Sequence, residues 1–321
     1  MRVLIALGGN ALLRRGEVPD AGIQLDHVIA AAPALAAAAA EHQLVLTHGN
    51  GPQVGLLALE SSDDRSLSRP YPLDALVAET QGLIGYWLQQ SIASAGLGGP
   101  IVSVVTQTVV DAADPAFAEP TKFVGATYPE AQARELAEAR GWSVARDGDA
   151  WRRVVASPAP TGVVELPVVE DLVGLGVTVI CAGGGGAAVV ARRSGARNGW
   201  RGVEAVVDKD LVAALLAIEL RAELLVLLTD VSAVIADYGT DDARALGSVT
   251  VDQLDGQSFA AGSMGPKVEA ACRFATATGA TAVIGALDDL AAVLDGRAGT
   301  RISAAEAGRA AHEGRRGTTG G

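Results

Sequence analysis

The sequence predicts an α/β fold in which a largely parallel sheet carries helices on both faces. Short apolar runs alternate with segments of helical periodicity along most of the 321 residues. Nearly half of the residues are hydrophobic (49%) and only 19% are charged, which is ample material for a packed core. Most of the apolar runs end in glycine or a small polar residue, as strands do before a turn into a helix.

Each element follows from its own pattern. In the first half, strands are expected at residues 3–7, 44–47 and 101–107, helices at 21–41 and 73–95, and another helix beginning near Pro52. In the second half, strands are expected at 177–181, 224–228 and 281–284, and helices at 211–220 and 267–279. The strand at 281–284 is the last for which the sequence offers a clear apolar run.

Residues 123–160 break this alternation. They contain one helical pattern (129–140), a charged turn at 146–149 and an alternating segment at 151–156. We expect a small lid subdomain inserted into a main domain that spans residues 1–302. The tail 303–321 is rich in alanine, glycine and charge, and we expect it to be disordered.

Composition excludes several classes of protein. The net charge of −12 argues against nucleic acid or an anionic membrane as the main partner, because both require a surplus of basic residues. Two cysteines are too few for a disulfide framework, and four scattered histidines give no zinc-binding spacing. The apolar segment 28–40 is too short to cross a bilayer core of ~30 Å. The chain is therefore expected to be a cytoplasmic protein.

Three glycine-rich loops follow predicted strands. They read Gly8-Gly9-Asn10, Gly49-Asn50-Gly51 and 183–186, the last of which includes Gly184 and Gly185. Ligands of open α/β sheets bind beyond the carboxyl ends of the strands, where glycine lets backbone N–H groups approach an anion. Strand-to-helix turns also use glycine for steric reasons alone. Three such loops at one edge favour a binding site for phosphate or carboxylate.

Lysine is scarce in this sequence. Of the 25 basic residues only Lys122, Lys209 and Lys267 are lysines. Because the chain uses arginine for almost all of its surface cations, these three lysines can mark positions that need a compact ammonium group. Chance is the alternative explanation. Lys209 and Lys267 fall at predicted helix N-termini, where a cation is disfavoured unless an anion lies nearby. Asp210 could hold both ammonium groups in place, whereas Asp208 is equally well explained as a helix cap.

Phosphoryl transfer suits this set of residues. The protein must hold donor and acceptor in line and neutralise charge on the transferred group. An acceptor that is already an anion needs no general base, which fits a chain with four histidines. Cations and Mg²⁺ must then offset the repulsion between the two reactants.

Several long strings of residues resemble the carbamate kinases, a branch of the amino acid kinase family. They are ALGGNAL at 6–12, THGNGPQVG at 47–55, QGLIGYWL at 81–88, RRVV at 152–155, SP at 157–158, GGGG at 183–186, GVEAVVDKD at 202–210, LTDV at 228–231 and GSMGPK at 262–267. The resemblance covers residues 3–302 in order. It implies a three-layer αβα sandwich around a mainly parallel eight-stranded sheet, a protruding lid and a homodimer. The implied reaction joins Mg-ATP and carbamate to give ADP and carbamoyl phosphate, within arginine metabolism.

The resemblance also assigns roles to residues of this chain. Lys209 and Lys267 would stabilise the transferred phosphoryl group, Asp210 would organise them, and Lys122 would approach from the lid. The substrate and phosphate sites would be lined by Gly8, Gly9, Asn10, Gly49, Asn50, Gly51, Gly184 and Gly185. The nucleotide would lie near Thr229, Asp230, Tyr238, Met264 and Gly265. No protein metal site is implied, because Mg²⁺ arrives with ATP or ADP.

Two alternatives remain open at this point. A related enzyme of the same family could phosphorylate acetylglutamate or a nucleoside monophosphate. Such acceptors need a larger pocket and an anchoring arginine, and the three glycine loops contain none. An inactive nucleotide-binding regulator is the second alternative, and it would be favoured by the loss of a lysine.

Overall fold

The largest part of the computed structural model is an eight-stranded sheet, within the described residues 1–9, 12–14, 16–194, 197–259 and 264–304. From one edge to the other its strands are β15 (Ser248–Thr250), β17 (Thr300–Ser303), β16 (Thr281–Ala286), β12 (Leu224–Thr229), β1 (Arg2–Leu7), β2 (Gln43–His48), β9 (Thr178–Ile180) and β3 (Ile101–Ser103). The six strands from β16 to β3 run parallel to one another. Strand β17 pairs antiparallel with β16, and β15 runs parallel to β17.

Alternating side chains of the central strand enter two separate cores. Leu4 and Ala6 of β1 pack into one apolar cluster, while Val3, Ile5 and Leu7 pack into the other. This is the pattern of a strand that is covered on both faces. The helices are α1 (Ala21–Glu41), α2 (Gly51–Asp63), α3 (Leu73–Ser94), α4 (Glu130–Arg140), α5 (Leu166–Gly174), α6 (Lys209–Glu219), α7 (Val251–Leu254), α8 (Met264–Thr278) and α9 (Leu290–Leu294).

Helices α1, α3 and α9 contribute to one core, and α5, α6 and α8 to the other. The predicted three-layer αβα sandwich around a mainly parallel sheet is therefore confirmed. By length and composition alone, α1 could span a membrane. Its full extent is 21 residues, longer than the apolar segment from 28 to 40. Its Val28 and Leu35 side chains are nevertheless completely buried in the core beside the sheet.

The predicted strand at residues 101–107 is confirmed only for its first three residues, because the chain leaves the main sheet after Ser103. Strand β3 ends at Ser103, and β4 (Gln107–Val110) begins a second, four-stranded sheet with β11 (Arg197–Gly202), β10 (Ala187–Ser194) and β8 (Pro160–Val163). The amide of Gln81 on α3 holds the turn between them. Its Oε1 accepts from the backbone N–H of Thr106 at 3.0 Å, and its Nε2 donates to the Thr106 carbonyl at 3.1 Å.

A third sheet forms the inserted segment. It consists of β5 (Lys122–Tyr128), β7 (Ala150–Val155) and β6 (Ser143–Asp147), with α4 between β5 and β6. We call residues 122–155 the lid. Its base is fastened to the body by a small apolar cluster, in which Val124 and Val155 join Val54 of α2 and Leu76 of α3.

Two further pairings complete the fold. Short strands β13 (Ile235–Ala236) and β14 (Arg244–Ala245) form a hairpin after β12. Strand β17 reaches Ser303, and its Ile302 is completely buried, although the four residues offered too short an apolar pattern to predict it. The remainder of the predicted disordered tail, residues 305–321, lies outside the described residues.

Candidate active site

The candidate site lies at the carboxyl edge of the main sheet. Leu7 at the end of β1 pairs with His48 at the end of β2, and β12 runs in register beside β1 on its other side. The loops after these strands, Gly8-Gly9 and Gly49-Asn50-Gly51, consequently meet at one edge. Helix α6 contributes Lys209 as its first residue, and α8 contributes Lys267 from its first turn.

Asp210 binds both lysines through different oxygens of one carboxylate. Its Oδ1 lies 2.5 Å from Lys209 Nζ, and its Oδ2 lies 3.1 Å from Lys267 Nζ. All three residues are largely buried, with 5% of the Asp210 side chain exposed. One buried carboxylate thus holds two ammonium groups that come from helices separated by more than 40 residues of sequence.

The three charges have opposing effects on each other's protonation. Burial lowers the pKa of Lys209, the Asp210 carboxylate opposes that change, and Lys267 adds to it. Burial also acts to raise the pKa of Asp210, but the two ammonium groups outweigh it and hold that pKa below its ordinary value. Asp210 is therefore ionised, and two lysines to one carboxylate leave an uncompensated positive charge for an anion.

The third lysine joins the site through a second carboxylate. Lys122 Nζ, from the first residue of β5 in the lid, lies 2.6 Å from Asp208 Oδ2. The other oxygen of Asp208 accepts from the backbone N–H of Asp210 at 2.9 Å and so caps α6. The cap that sequence suggested for Asp208 is present, and the same side chain also tethers the lid lysine.

Close approaches of neighbouring atoms explain one glycine in each of the first two loops, Gly8 and Gly49. A methyl group added at Gly49 would lie 3.0 Å from the Cα of Gly9 and 3.5 Å from Lys209 Cε. One added at Gly8 would lie 2.8 Å from the carbonyl oxygen of Leu228 in β12. Side chains here would push the loops apart, so glycine keeps the backbone of both loops close to Lys209.

The third glycine loop, residues 183–186, packs against the second, residues 49–51. Gly184 leaves the space that the Asn50 amide occupies, since an added methyl group would overlap it at 2.0 Å. The Asn50 Nδ2 donates to Thr80 Oγ1 of α3 at 2.8 Å. Gly185 packs against the Val207 carbonyl and lies near the backbone nitrogen of Lys209. Gly184 and Gly185 therefore position neighbouring residues of the site.

The residues expected near the nucleotide lie at the ends of β12 and α8. Thr229 is the last residue of β12, and its hydroxyl donates to Asp230 Oδ1 at 3.0 Å. Met264 and Gly265 begin α8, one turn before Lys267. Tyr238 lies in the β13–β14 hairpin and is 84% exposed, so the structure does not bring it into the lysine cluster. Asn10 lies outside the described residues.

Sequence reasoning missed two supporting residues. His48 is completely enclosed, its Nδ1 lies 3.0 Å from the Gly49 carbonyl oxygen, and its ring fills the space beside Gly183. Thr80 fixes Asn50 from α3. The pattern that could have pointed to them is a polar residue inside an otherwise apolar strand or helix face, because such a residue needs a buried partner.

The described side chains show no protein metal centre. Among them, no group of three or more histidine, cysteine, aspartate or glutamate residues could hold a metal ion. The carboxylates of Asp208 and Asp210 are both paired with lysines.

Comparison with known proteins gives similarity along almost the whole chain. Residues 1–286 match the model of the amino acid kinase family. A carbamate kinase of Rhizobium meliloti (strain 1021) is 50% identical over 304 residues, which cover 94% of this chain and 93% of the relative. A carbamate kinase of Haemophilus influenzae is 46% identical over 94% of this chain and 97% of its own length.

A solved structure described as carbamate kinase from Giardia lamblia bound to AMP-PNP shares the fold, with a TM-score of 0.83 and 40% identity over 94% of this chain and 98% of its own. The matched region includes the strands that form the edge of the site and both helices that carry its lysines. The resemblance stated from the sequence is thereby confirmed. The chain belongs to the amino acid kinase family, and within it to the carbamate kinases.

Proposed function

We propose that this protein transfers a phosphoryl group reversibly between Mg-ATP and carbamate, with ADP and carbamoyl phosphate as the other pair of reactants. The observation that carries the proposal is the Asp210 carboxylate, which holds Lys209 and Lys267 beside the touching loops of Gly9 and Gly49. Full-length similarity to several carbamate kinases supports the choice of acceptor.

Charge neutralisation is the main task of these residues. In the transition state the transferred phosphoryl group spreads negative charge over its oxygens. Two ammonium groups that are already in position stabilise that charge without having to reorganise. Asp210 aims both lysines, and its own charge leaves one positive charge in surplus. The backbone N–H groups of Gly8, Gly9 and Gly51, with Asn10 and the Asn50 side chain, would bind the acceptor and the phosphate oxygens. Gly49 would line the site without donating to it, because its N–H donates to the Leu7 carbonyl at 3.0 Å.

The acceptor requires no base on the protein. Carbamate is already an anion with a nucleophilic oxygen, so the enzyme has only to bring it into line with the γ-phosphate. His48, the histidine nearest these loops, is neutral because burial lowers its pKa to about 4. Its ring is occupied in supporting Gly49, and we assign it no proton transfer.

The nucleotide would bind on the side of the site formed by β12 and α8. Thr229 and Asp230 would contact the nucleoside, and Met264 and Gly265 would lie near the phosphates. Tyr238, which is exposed, would cover the nucleoside from the hairpin after β12. Mg²⁺ would arrive as part of the Mg-nucleotide substrate and be held chiefly by its phosphates.

The protein would act as a cytoplasmic homodimer in arginine metabolism. Support for the dimer comes from an apolar surface beside the open edge of the main sheet. Strand β3 is the last strand of that sheet. Tyr86 of α3 and Val105 line a surface cavity with residues of β3 and are 56% and 50% exposed, and Leu83, one turn earlier on α3, is 40% exposed. A second copy would cover these side chains. No nucleic acid or membrane partner is expected for a chain with a net charge of −12.

A coupled assay tests the reaction. Formation of ATP from ADP, Mg²⁺ and carbamoyl phosphate should be readily measurable, and Lys209→Ala protein prepared in the same way serves as the control for contaminating kinases. In parallel, ADP formation from ATP should be negligible with acetylglutamate or UMP as acceptor. Turnover of either alternative acceptor above that of carbamoyl phosphate would overturn the proposal.

The same preparation addresses the inactive regulator. We expect ADP to bind in an isothermal titration and also to be turned over when carbamoyl phosphate is added. Tight nucleotide binding without turnover of carbamoyl phosphate, acetylglutamate or UMP would instead assign the chain to the regulators.

A further inference from the structure

The lid rests directly on helix α2 at a contact between two glycines. A methyl group added at Gly55, in the second turn of α2, would lie 2.8 Å from the Cα of Gly125 in β5. Gly125 has a φ of +74° and falls where the pairing of β5 with β7 is interrupted by a bulge. Glycine within a helix is costly by about 0.5–1 kcal/mol relative to alanine. The close approach of the lid backbone explains why α2 has one.

A second contact lies at the other end of α2. Arg140, the last residue of α4 in the lid, donates to Ser62 Oγ at 2.5 Å and to Asp63 Oδ1 at 2.7 Å. Ser62 and Asp63 are the last two residues of α2. From Gly55 to Asp63 is eight residues, or about 12 Å along a helix. The lid is therefore held at two well separated points on one rigid element, and two such points fix its tilt.

The Arg140 contact is also connected to the segment that carries the site. The guanidinium carbons of Arg140 and Arg153 lie 5.1 Å and 5.0 Å from the centre of the Trp142 ring, so both arginines make cation–π contacts with it. Arg153 lies 3.7 Å from Glu204, four residues before Asp208. Movement of the lid at Arg140 would thus also disturb its contact with the body at Glu204.

We propose that Gly55 and Arg140 are positioning residues that hold the lid at the tilt in which Lys122 meets Asp208. Lys122 lies three residues before Gly125 on β5, about 10 Å along the strand. Tilting the lid about the Gly55 contact would displace Lys122 from the 2.6 Å pair with Asp208. The inference rests on the proposed function only in assigning Lys122 to the reaction.

The chain offers a matched variant for each change. Arg140→Ala removes the contact to α2, whereas Arg134→Ala removes an arginine of the same helix whose partners, Glu130 and the Trp151 ring, both lie in the lid. Gly55→Ala inserts a methyl group against Gly125. Gly174→Ala adds one at the end of α5, where nothing lies within 4 Å of it.

Steady-state kinetics in the direction of ATP formation provide the first test. We expect Arg140→Ala and Gly55→Ala to lower kcat about tenfold, equivalent to ~1.4 kcal/mol, with the KM for ADP nearly unchanged. Because both act through Lys122, neither should lower kcat further in a Lys122→Ala protein. An equal loss in Arg134→Ala or Gly174→Ala, or full additivity with Lys122→Ala, would overturn the inference.

Amide hydrogen exchange provides a test that does not depend on activity. Exchange in the peptide covering 122–128 should become faster in Arg140→Ala and Gly55→Ala and stay at the wild-type rate in the two control variants. Unchanged exchange in Arg140→Ala, which does not insert any atom, would refute the role of α2. If the wild-type protein fails to make ATP from carbamoyl phosphate, the proposed function fails, and the exchange rates still decide whether α2 holds the lid.

Discussion

At the scale of single residues, the site is an excess of positive charge in an acidic protein. Lys122, Lys209 and Lys267 contribute three positive charges, and Asp208 and Asp210 contribute two negative ones. Burying such a cluster costs free energy, which the pairing only partly offsets. In the proposed function an anionic substrate would supply the missing negative charge, and the cluster would then be most stable when the site is filled. The chain as a whole carries −12, and the surplus is therefore local.

Removal of either buried lysine should abolish efficient turnover. We expect Lys209→Ala and Lys267→Ala each to lower kcat by about 10²–10³, because each deletes a preorganised cation at the transferred group. ADP binding, measured by titration calorimetry, should survive in part. Arginine at either position should fail to restore the rate, since a planar fork cannot replace a compact ammonium held by Asp210. Turnover near that of the wild type in either alanine variant would remove these residues from the mechanism.

His48 should make the protein sensitive to mild acid. Burial lowers its pKa from 6.5 to about 4, Lys209 adds to this, and the hydrogen bond to the Gly49 carbonyl opposes it. Between about pH 4 and pH 6.5 the His48 ring is mostly protonated in the unfolded chain and mostly neutral in the folded chain. The stability linked to His48 is thus fully present above about pH 6.5 and is lost as the pH falls toward 4.

Urea unfolding at several pH values measures this contribution. From pH 7.5 to 4.5 the wild-type protein should lose about 2 kcal/mol more unfolding free energy than His48→Asn, which has no titrating ring. The remaining titratable groups are the same in both proteins, so their contributions to the unfolding free energy cancel in the difference. Parallel pH profiles for the two proteins would contradict the prediction.

At the scale of elements, helix α6 combines two functions at its first turn. Asp208 satisfies backbone N–H groups that would otherwise lack partners, and the same carboxylate binds the lid lysine. Strand β5 and helix α6 are thereby joined at the site. The sequence alone shows an aspartate before a helix and predicts a cap. It cannot show that Lys122, 86 residues earlier, pairs with that cap.

Two substitutions separate the cap from the ion pair. Asp208→Asn keeps an N-cap acceptor and should change the unfolding free energy by only a few tenths of a kcal/mol through the helix, whereas Asp208→Ala should lose about 1 kcal/mol more. Both variants release Lys122, so both should lower kcat to a similar extent. Denaturant titration and steady-state assays on the two proteins test this. Equal destabilisation by asparagine and alanine would show that the cap contributes little.

Elements with a long and regular hydrophobic pattern could be predicted from the sequence. Elements whose ends are set by hydrogen bonds to a distant side chain could not. Helix α1 begins and ends where its periodicity predicts, at Ala21 and Glu41. The break between β3 and β4 depends on the Gln81 side-chain amide. It hydrogen-bonds both the backbone N–H and the carbonyl of Thr106, as the backbone of a neighbouring strand would. Local propensity contains no signal of that tertiary contact, and residues 101–107 therefore looked like one strand.

At the scale of the whole molecule, all parts of the site come from distant positions in the sequence. Parallel strands β1, β2 and β12 end at one edge, so the loops at Gly9, Gly49 and Thr229 converge without any local signal. The glycine strings and isolated lysines could be recognised from sequence because backbone approach and compact charge restrict residue type. The docking of the lid could not, because Arg140 and Asp63 are common surface residues on their own.

The open edge of the main sheet gives a prediction about assembly. A strand with one open edge and exposed apolar neighbours invites association, and Tyr86 and Val105 flank β3 in this way. We expect Tyr86→Glu combined with Val105→Glu to convert the proposed dimer into a monomer in sedimentation experiments at micromolar concentration, because buried unpaired carboxylates oppose contact. Leu175→Glu is the matched control, since Leu175 is 79% exposed at the end of α5. A dimer that survives the double change, or one lost in the control, would place the contact on another face. The lysine cluster belongs to a single chain, so the monomer should keep nucleotide binding even where the rate falls.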